Sequence, residues 1–293
     1  MRILNFGSLN IDYTYRVDRF AQPGETVASR SMTVGAGGKG LNQSVALAMA
    51  GADVYHAGLL GKGGEFLHTM LAEAGVDCSY LSMSRQANGH AIIQLDESGQ
   101  NCILLHPGSN HLLTKEMADR VLADFNAGDL LLLQNETNCV PYLIRSAAER
   151  GMLVAFNAAP MTDEVKDYPL EKLRWLIINE TEGAALTGET EPGRIAAVLA
   201  ARYPRLALVL TLGADGVLYR EGVLEFFVPA RHVSVVDTTA AGDAFTGYFL
   251  AAVADGADAA YALTFATAAA AITVSRSGAA ASIPSLEEVL KAL

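Results

Sequence analysis

The chain has 293 residues, which at about 100–200 residues per domain is one large domain or one with an appendage. Hydrophobic residues make up 51%, charged residues 18% and aromatic residues 7%, a mixture that excludes disorder, collagen and coiled coil and asks for a core of Ala, Leu, Val and Ile. With 21 Lys and Arg against 32 Asp and Glu, a formal charge of -11, the chain repels phosphate backbones and anionic membranes, so neither nucleic acid nor a membrane is an expected partner.

Residues 3–6 read as a buried strand, reached from Met1 with no signal-peptide pattern. Two stretches of period two follow at 13–17 and 27–34. The segment Gly35-Ala36-Gly37-Gly38-Lys39-Gly40 then leads into a helix at 42–50 that stops at Gly51. Its GxGxxG spacing admits an NAD(P) or flavin dinucleotide site, but the stretch before it alternates polar and apolar residues instead of forming a buried first strand. Two other readings stand beside that one: backbone brought close to a polar ligand, with Lys39 and Asn42 projecting into the same pocket, or a plain turn with a solvated lysine.

A strand at 53–57 and a helix at 65–74 come next, then strands at 91–95 and 101–105 across a DESGQ turn. The two strand pairs without intervening helices predict a small separate sheet, a flap that covers a ligand, a second subunit or both. Helices at 115–125, 142–150 and 194–201 alternate with strands at 130–133, 153–156, 175–178 and 206–210. That alternation predicts a mainly parallel sheet covered on both faces.

Asn179 and Glu182 directly follow the strand at 175–178, and the carboxyl ends of such strands collect ligands. Their oxygens suit Mg²⁺ or a helix capping box. Thr211, Gly213 and Gly216 mark a glycine turn after the next strand. Ala240, Ala241 and Gly242 open a helix whose free N–H groups can meet an anion. Asp243 among them is either a base for an incoming hydroxyl or a first-turn acid favoured by the helix dipole. The apolar segment 259–275 reads as a buried helix too short for a membrane span. Cys78, Cys102 and Cys139 lack paired spacing and are expected as buried free thiols in a reducing, cytoplasmic compartment. The six histidines lack metal-ligand spacing and are expected as surface or packing residues.

GGKGLNQ at 37–43 and DTTAAGDAF at 237–245, with Gly7-Ser8-Leu9-Asn10-Ile11-Asp12 near the start and Arg276-Ser277-Gly278-Ala279 near the end, resemble the ribokinase family of sugar kinases, the PfkB group. The resemblance spans nearly the whole chain. It implies a ribokinase-like three-layer α/β/α fold, one domain over 1–293, with a mainly parallel central sheet and a small β lid from segments near 11–35 and 88–107. It also implies transfer of the γ-phosphoryl group of ATP to a sugar's primary hydroxyl, with Asp243 as base and Ala240, Ala241 and Gly242 as the anion hole. No GxxxxGK[ST] loop occurs, so Lys39 is not a P-loop lysine.

By the same resemblance Asn10, Asp12, Gly38, Lys39, Asn42 and Glu136, together with Asp243, bind the sugar, while Asn179, Thr211, Gly213 and Gly216 bind the nucleotide. Glu182 is expected to place Mg²⁺ through water, and Asp237, Thr239, Arg276, Gly278 and Ser282 fall in loops that hold an activating K⁺ in the family. GGKG followed by Asn-Gln, PGETV at 23–27 and the DTxAAGD pattern are most like the ribose kinases of the family. D-Ribose is therefore the expected substrate, with another pentose, a ketose or a nucleoside as the alternative and a non-catalytic sugar-binding protein as the alternative of another class. Thr267 stands where family members often carry a histidine near the adenine. A homodimer formed through the lid is a further expectation of the resemblance.

Overall fold

The short apolar runs become strands in the computed structural model, which describes residues 1–293. In chain order the strands are β1 (Ile3–Phe6), β2 (Asn10–Arg16), β3 (Ser31–Gly37), β4 (Val54–Lys62), β5 (Asp77–Ala87), β6 (Gly89–Leu95), β7 (Asn101–His106), β8 (Leu130–Gln134), β9 (Leu153–Asn157), β10 (Trp175–Asn179), β11 (Ala207–Thr211), β12 (Gly216–Glu221) and β13 (Leu224–Pro229). The helices are α1 (Lys39–Met49), α2 (Glu65–Glu73), α3 (Lys115–Leu122), α4 (Val140–Glu149), α5 (Glu180–Thr187), α6 (Pro192–Arg202), α7 (Ala241–Ala254), α8 (Ala259–Val274) and α9 (Leu286–Ala292). No helix is long and apolar enough to cross a membrane.

Nine strands form one sheet in the order β13-β12-β11-β10-β9-β8-β1-β4-β5. Neighbours from β11 to β5 pair parallel, and only the β11-β12-β13 edge is antiparallel. Successive side chains of a strand leave on opposite faces, and both faces here are apolar. Ile3, Leu130, Leu132, Ile177 and Val209 enter one buried cluster with side chains of α1, α7 and α8. Leu4, Leu131, Leu133, Leu176, Ile178, Leu208 and Leu210 enter the other with α3, α4 and α6. Helices therefore cover both faces, the three layers expected of the chain.

The second sheet, β3-β2-β6-β7, has four strands. Its strands come from the two segments read as period two, except that residues 27–30 carry no strand and β3 starts at Ser31. The strands β5, β12 and β13 and the helices α5 and α9 add to the predicted set. The thiols also depart from expectation. Cys102 is exposed on the outer strand β7, and Cys78 and Cys139 are half-buried at a sheet edge and a helix start.

Candidate active site

Strand order runs outward from β8 in one direction and from β1 through β4 to β5 in the other. Crevices form at such a switch, beyond the carboxyl ends of the strands. Ser8 follows β1 and Glu136 follows β8, and their side chains meet there. The Ser8 hydroxyl donates to Glu136 Oε2 at 2.5 Å, and the same oxygen accepts the Lys39 N–H at 2.8 Å. Gly40 N–H donates back to Ser8 Oγ at 3.2 Å. A Cβ on Gly40 would lie 2.2 Å from Ser8 N, so only glycine lets α1 start against this turn. Lys39 is thus the first residue of the helix, with Gly38 as its cap residue at φ 92°.

Five of the expected sugar residues surround this junction. Asn10 and Asp12 arrive on lid strand β2, and Asn10 Oδ1 accepts from Asn110 Nδ2 at 2.7 Å. Burial, with the charge of Glu136 behind it, pushes the Asp12 carboxyl up to about 6. Burial also raises Glu136 above the usual carboxylate range, against the pull of Lys39 and Ser8. Asp243 holds the Lys39 ammonium above its ordinary value despite burial, with Glu136 and Glu182 adding to the effect. One cation therefore serves three carboxylates, which suits a site that orders hydroxyl groups between charged partners.

Asp243 enters from α7. Its Oδ2 accepts from Asn42 Nδ2 at 2.9 Å and its Oδ1 from Gln43 Nε2 at 2.8 Å, both from α1. The two helices can come this close because Gly247, one turn beyond Asp243, has no side chain. A Cβ there would lie 2.4 Å from Ala46 Cβ. Ala240 precedes α7 in the left-handed region, at φ 61°. The Gly242 and Asp243 N–H groups find no main-chain acceptor, and a side chain at Gly242 would enter open space. The start of α7 is accordingly free to meet an anion.

That start opens into a cavity of about 400 Å³ lined by Asn179, Thr211, Gly213, Gly216, Thr238, Ala241 and Gly242. All four residues expected at the nucleotide thus share one space with two of the expected anion-hole residues. Thr267 lines it too, from α8. Arg231 and the exposed His232 also line it. Asn179 and Glu182 form the capping box of α5, each accepting the other's N–H at 2.9 Å. Burial raises Glu182 above the ordinary carboxylate range.

No three acidic, histidine or cysteine side chains are grouped so that they could hold a metal ion among themselves. The donor set near Glu182 therefore fits a Mg²⁺ that keeps waters and phosphate oxygens as most of its ligands, and no all-protein cage. The segments with Asp237 and Gly278 lie side by side, since Val236 and Asp237 both donate to the Val274 carbonyl. Asp237 accepts from Thr239 N–H at 2.9 Å and Gly278 N–H at 3.0 Å. Burial pushes its carboxyl up, but the hydrogen bonds from Thr239 and Gly278 outweigh that and leave it below its ordinary value. Ser282 donates to Ala279 carbonyl at 2.7 Å, and the Arg276 side chain pairs with Glu288. Of those two, Arg276 thus has only its carbonyl free to face an ion.

Sequence reasoning missed Ser8, Gln43 and Asn110. Ser8 and Gln43 lie inside the motifs that carried the resemblance, so their positions were visible and their partners were not. Asn110 meets Asn10 across 100 positions of the chain, and nothing local marks it.

The geometry has close relatives. The profile of the pfkB family of carbohydrate kinases matches residues 2–286. A ribokinase of Haemophilus influenzae is 34% identical over 98% of this chain and 96% of its own. The ribokinase of Cryptococcus neoformans in complex with ADP superposes with a TM-score of 0.87 at 33% identity, covering 100% of this chain and 99% of that one. The Arabidopsis thaliana ribokinase complexed with ribose and ATP gives 0.85 at 29% identity, covering 99% and 97%. With a profile match over nearly its full length and the two-sheet architecture behind it, this chain belongs to the pfkB family of carbohydrate kinases.

Proposed function

We propose that this chain transfers the γ-phosphoryl group of ATP to the primary 5-hydroxyl of D-ribose, giving ribose 5-phosphate and ADP. The observation that carries the reading is the place of Asp243, whose carboxylate belongs to the polar cluster of Asn42 and Lys39 while the residue before it lines the neighbouring cavity. A base there stands between a hydroxyl and a phosphate. Asp243 takes the proton as the ribose oxygen bonds to Pγ and the bond from Pγ to the β,γ-bridging oxygen breaks, with ADP leaving. The free amides at the start of α7 stabilise charge on the transferring group. Asn10, Asp12, Gly38, Lys39, Asn42 and Glu136 hold the sugar hydroxyls, and Asn179, Thr211, Gly213 and Gly216 the nucleotide. Glu182 would hold Mg²⁺ through water, and the ion would neutralise phosphate charge. Asp237 and oxygens of the 276–282 segment would hold K⁺, which would add positive charge near the start of α7.

The outer face of the lid sheet supports a homodimer. Val34, Tyr13, Ile92 and Leu104 pair in one row across its four strands, on the face opposite Asp12. The decisive assay is ADP release from MgATP with ribose, deoxyribose, fructose and nucleosides, with K⁺ and with Na⁺. Ribose should lead. Asp243→Asn should lose about 10²–10⁴ in kcat while ribose binding, measured by calorimetry, persists. A better substrate than ribose overturns the assignment of the pocket, and an active Asp243→Asn enzyme overturns the base.

A further inference from the structure

A chain of buried amides stands behind Asp243 with no part in the chemistry above. Gln43 is wholly buried, and its Nε2 lies 2.8 Å from Asp243 Oδ1 and 3.1 Å from Asn157 Oδ1. Its Oε1 accepts from Gln134 Nε2 at 2.7 Å. Gln134 Nε2 also donates to Asn5 Oδ1 at 2.9 Å, and Asn5 Nδ2 donates to the Gly40 carbonyl at 2.7 Å and to Ser44 Oγ at 2.8 Å. At the other end, Asn157 Nδ2 donates to the Ile177 carbonyl at 3.0 Å.

Any one amide could be turned end for end, since its nitrogen and oxygen have the same shape. A main-chain carbonyl only accepts. The Gly40 carbonyl therefore fixes Asn5 with its nitrogen inward, which makes Asn5 Oδ1 an acceptor, Gln134 Nε2 a donor and Gln43 Oε1 an acceptor in turn. The Ile177 carbonyl fixes Asn157 so that its oxygen also faces Gln43. Both ends demand the same result, an N–H on Asp243 Oδ1.

We infer that Gln43 is a positioning residue for phosphoryl transfer: held by this oriented amide chain, it pins Oδ1 of Asp243, sets the plane of the carboxylate and leaves Oδ2 to take the proton. Oδ1 meets Gln43, which is wholly buried, whereas Oδ2 meets Asn42, whose own Oδ1 is buried without a partner. The inference rests on the kinase reading of Asp243. The charged groups facing Asp243 are Lys39 from α1 and Glu136 from the segment after β8, and both stay in place in the variants that test it.

Gln43→Glu keeps length and shape but replaces the donor by a carboxyl group. Its kcat should fall about 10–100-fold, with ribose KM within about threefold and the acidic limb of the kcat–pH profile moved upward by the added acid beside the base. Gln134→Glu never touches Asp243. It replaces the amide donor that fixes Gln43 Oε1 and so loosens the orientation of Gln43, and it should reproduce the loss of kcat at nearly constant KM. Ribose calorimetry verifies that each variant keeps its pocket. Wild type without ribose kinase activity sinks the functional reading itself, whereas an active wild type with Gln43→Glu within twofold in kcat and an unmoved pH limb overturns the inference alone. If Gln43→Glu fails to fold, Gln134→Glu decides on the same criteria. If neither folds, the wild type should show a glutamine side-chain amide, slow to exchange by nitrogen-edited NMR, that shifts in Asp243→Asn, and its absence overturns the inference.

Discussion

Four helical threonines, Thr187, Thr246, Thr264 and Thr273, donate their hydroxyls to the carbonyl four residues back at 2.8–2.9 Å. Thr267, on the same helix as two of them, does not. Its Oγ1 is buried without a partner and the residue lines the cavity at the start of α7. Leaving a buried hydroxyl unpaired costs about 1–3 kcal/mol, a cost recovered only when a ligand pairs with it. Thr267→Val, which keeps the shape, should raise KM for ATP about 5–10-fold with kcat and melting temperature little changed. An unaltered KM would mean that the hydroxyl plays no part in binding. At this scale the sequence discloses identity better than partnership. The motifs single out Asp243 and Lys39, whose roles come from the resemblance, but Gln43 reaches Asp243 across 200 positions, and only the packing of two helices brings them together.

Elements buried on both faces are the legible ones. The strands β1, β8, β9 and β10 were each readable to within a residue because their apolar runs are continuous, as parallel strands in the middle of a sheet require. The edge strand β5 and the hairpin β12-β13 lie partly exposed and have neither a continuous apolar run nor a clean alternation, so their pattern does not separate them from loops. The lid shows the same limit from the other side. Its period-two pattern predicts a sheet but not which face meets what. Val34 is 53% exposed and Leu104 67% exposed at the two ends of their row, a large uncovered apolar strip for a four-stranded sheet. Leu104→Asp should convert a particle of twice 30.9 kDa into one of single mass by light scattering. A wild type already at single mass would remove the proposed dimer.

Across the whole molecule two buried groups pull stability in opposite directions as pH falls. His56 is fully buried and burial pushes it down to about 4, so between about pH 6.5 and 4 the unfolded chain takes up a proton that the native chain refuses. That part of the stability is lost on acidification. Asp12, raised to about 6 by burial and by Glu136, takes its proton in the native state first, which stabilises the fold over nearly the same range. The two effects offset one another. Glu136 and Glu182, also raised by burial, act in the same sense as Asp12, and Asp12→Asn removes one of these counterweights to His56, so its unfolding free energy in urea should fall more steeply than that of wild type between pH 6 and 4, by on the order of 1 kcal/mol per pH unit. Parallel pH dependences would show that the two groups do not carry this balance.

The meeting of Gly247 with Ala46 carries a mechanical consequence. Asp243 and both of its amide partners ride on two helices locked backbone to backbone in the main body, while Asp12 and Asn10 ride on the lid. A displacement of the second sheet would move Asn10 and Asp12 and leave Asp243 seated, because the alignment of Asp243 is set by the contact of two helices, on folding.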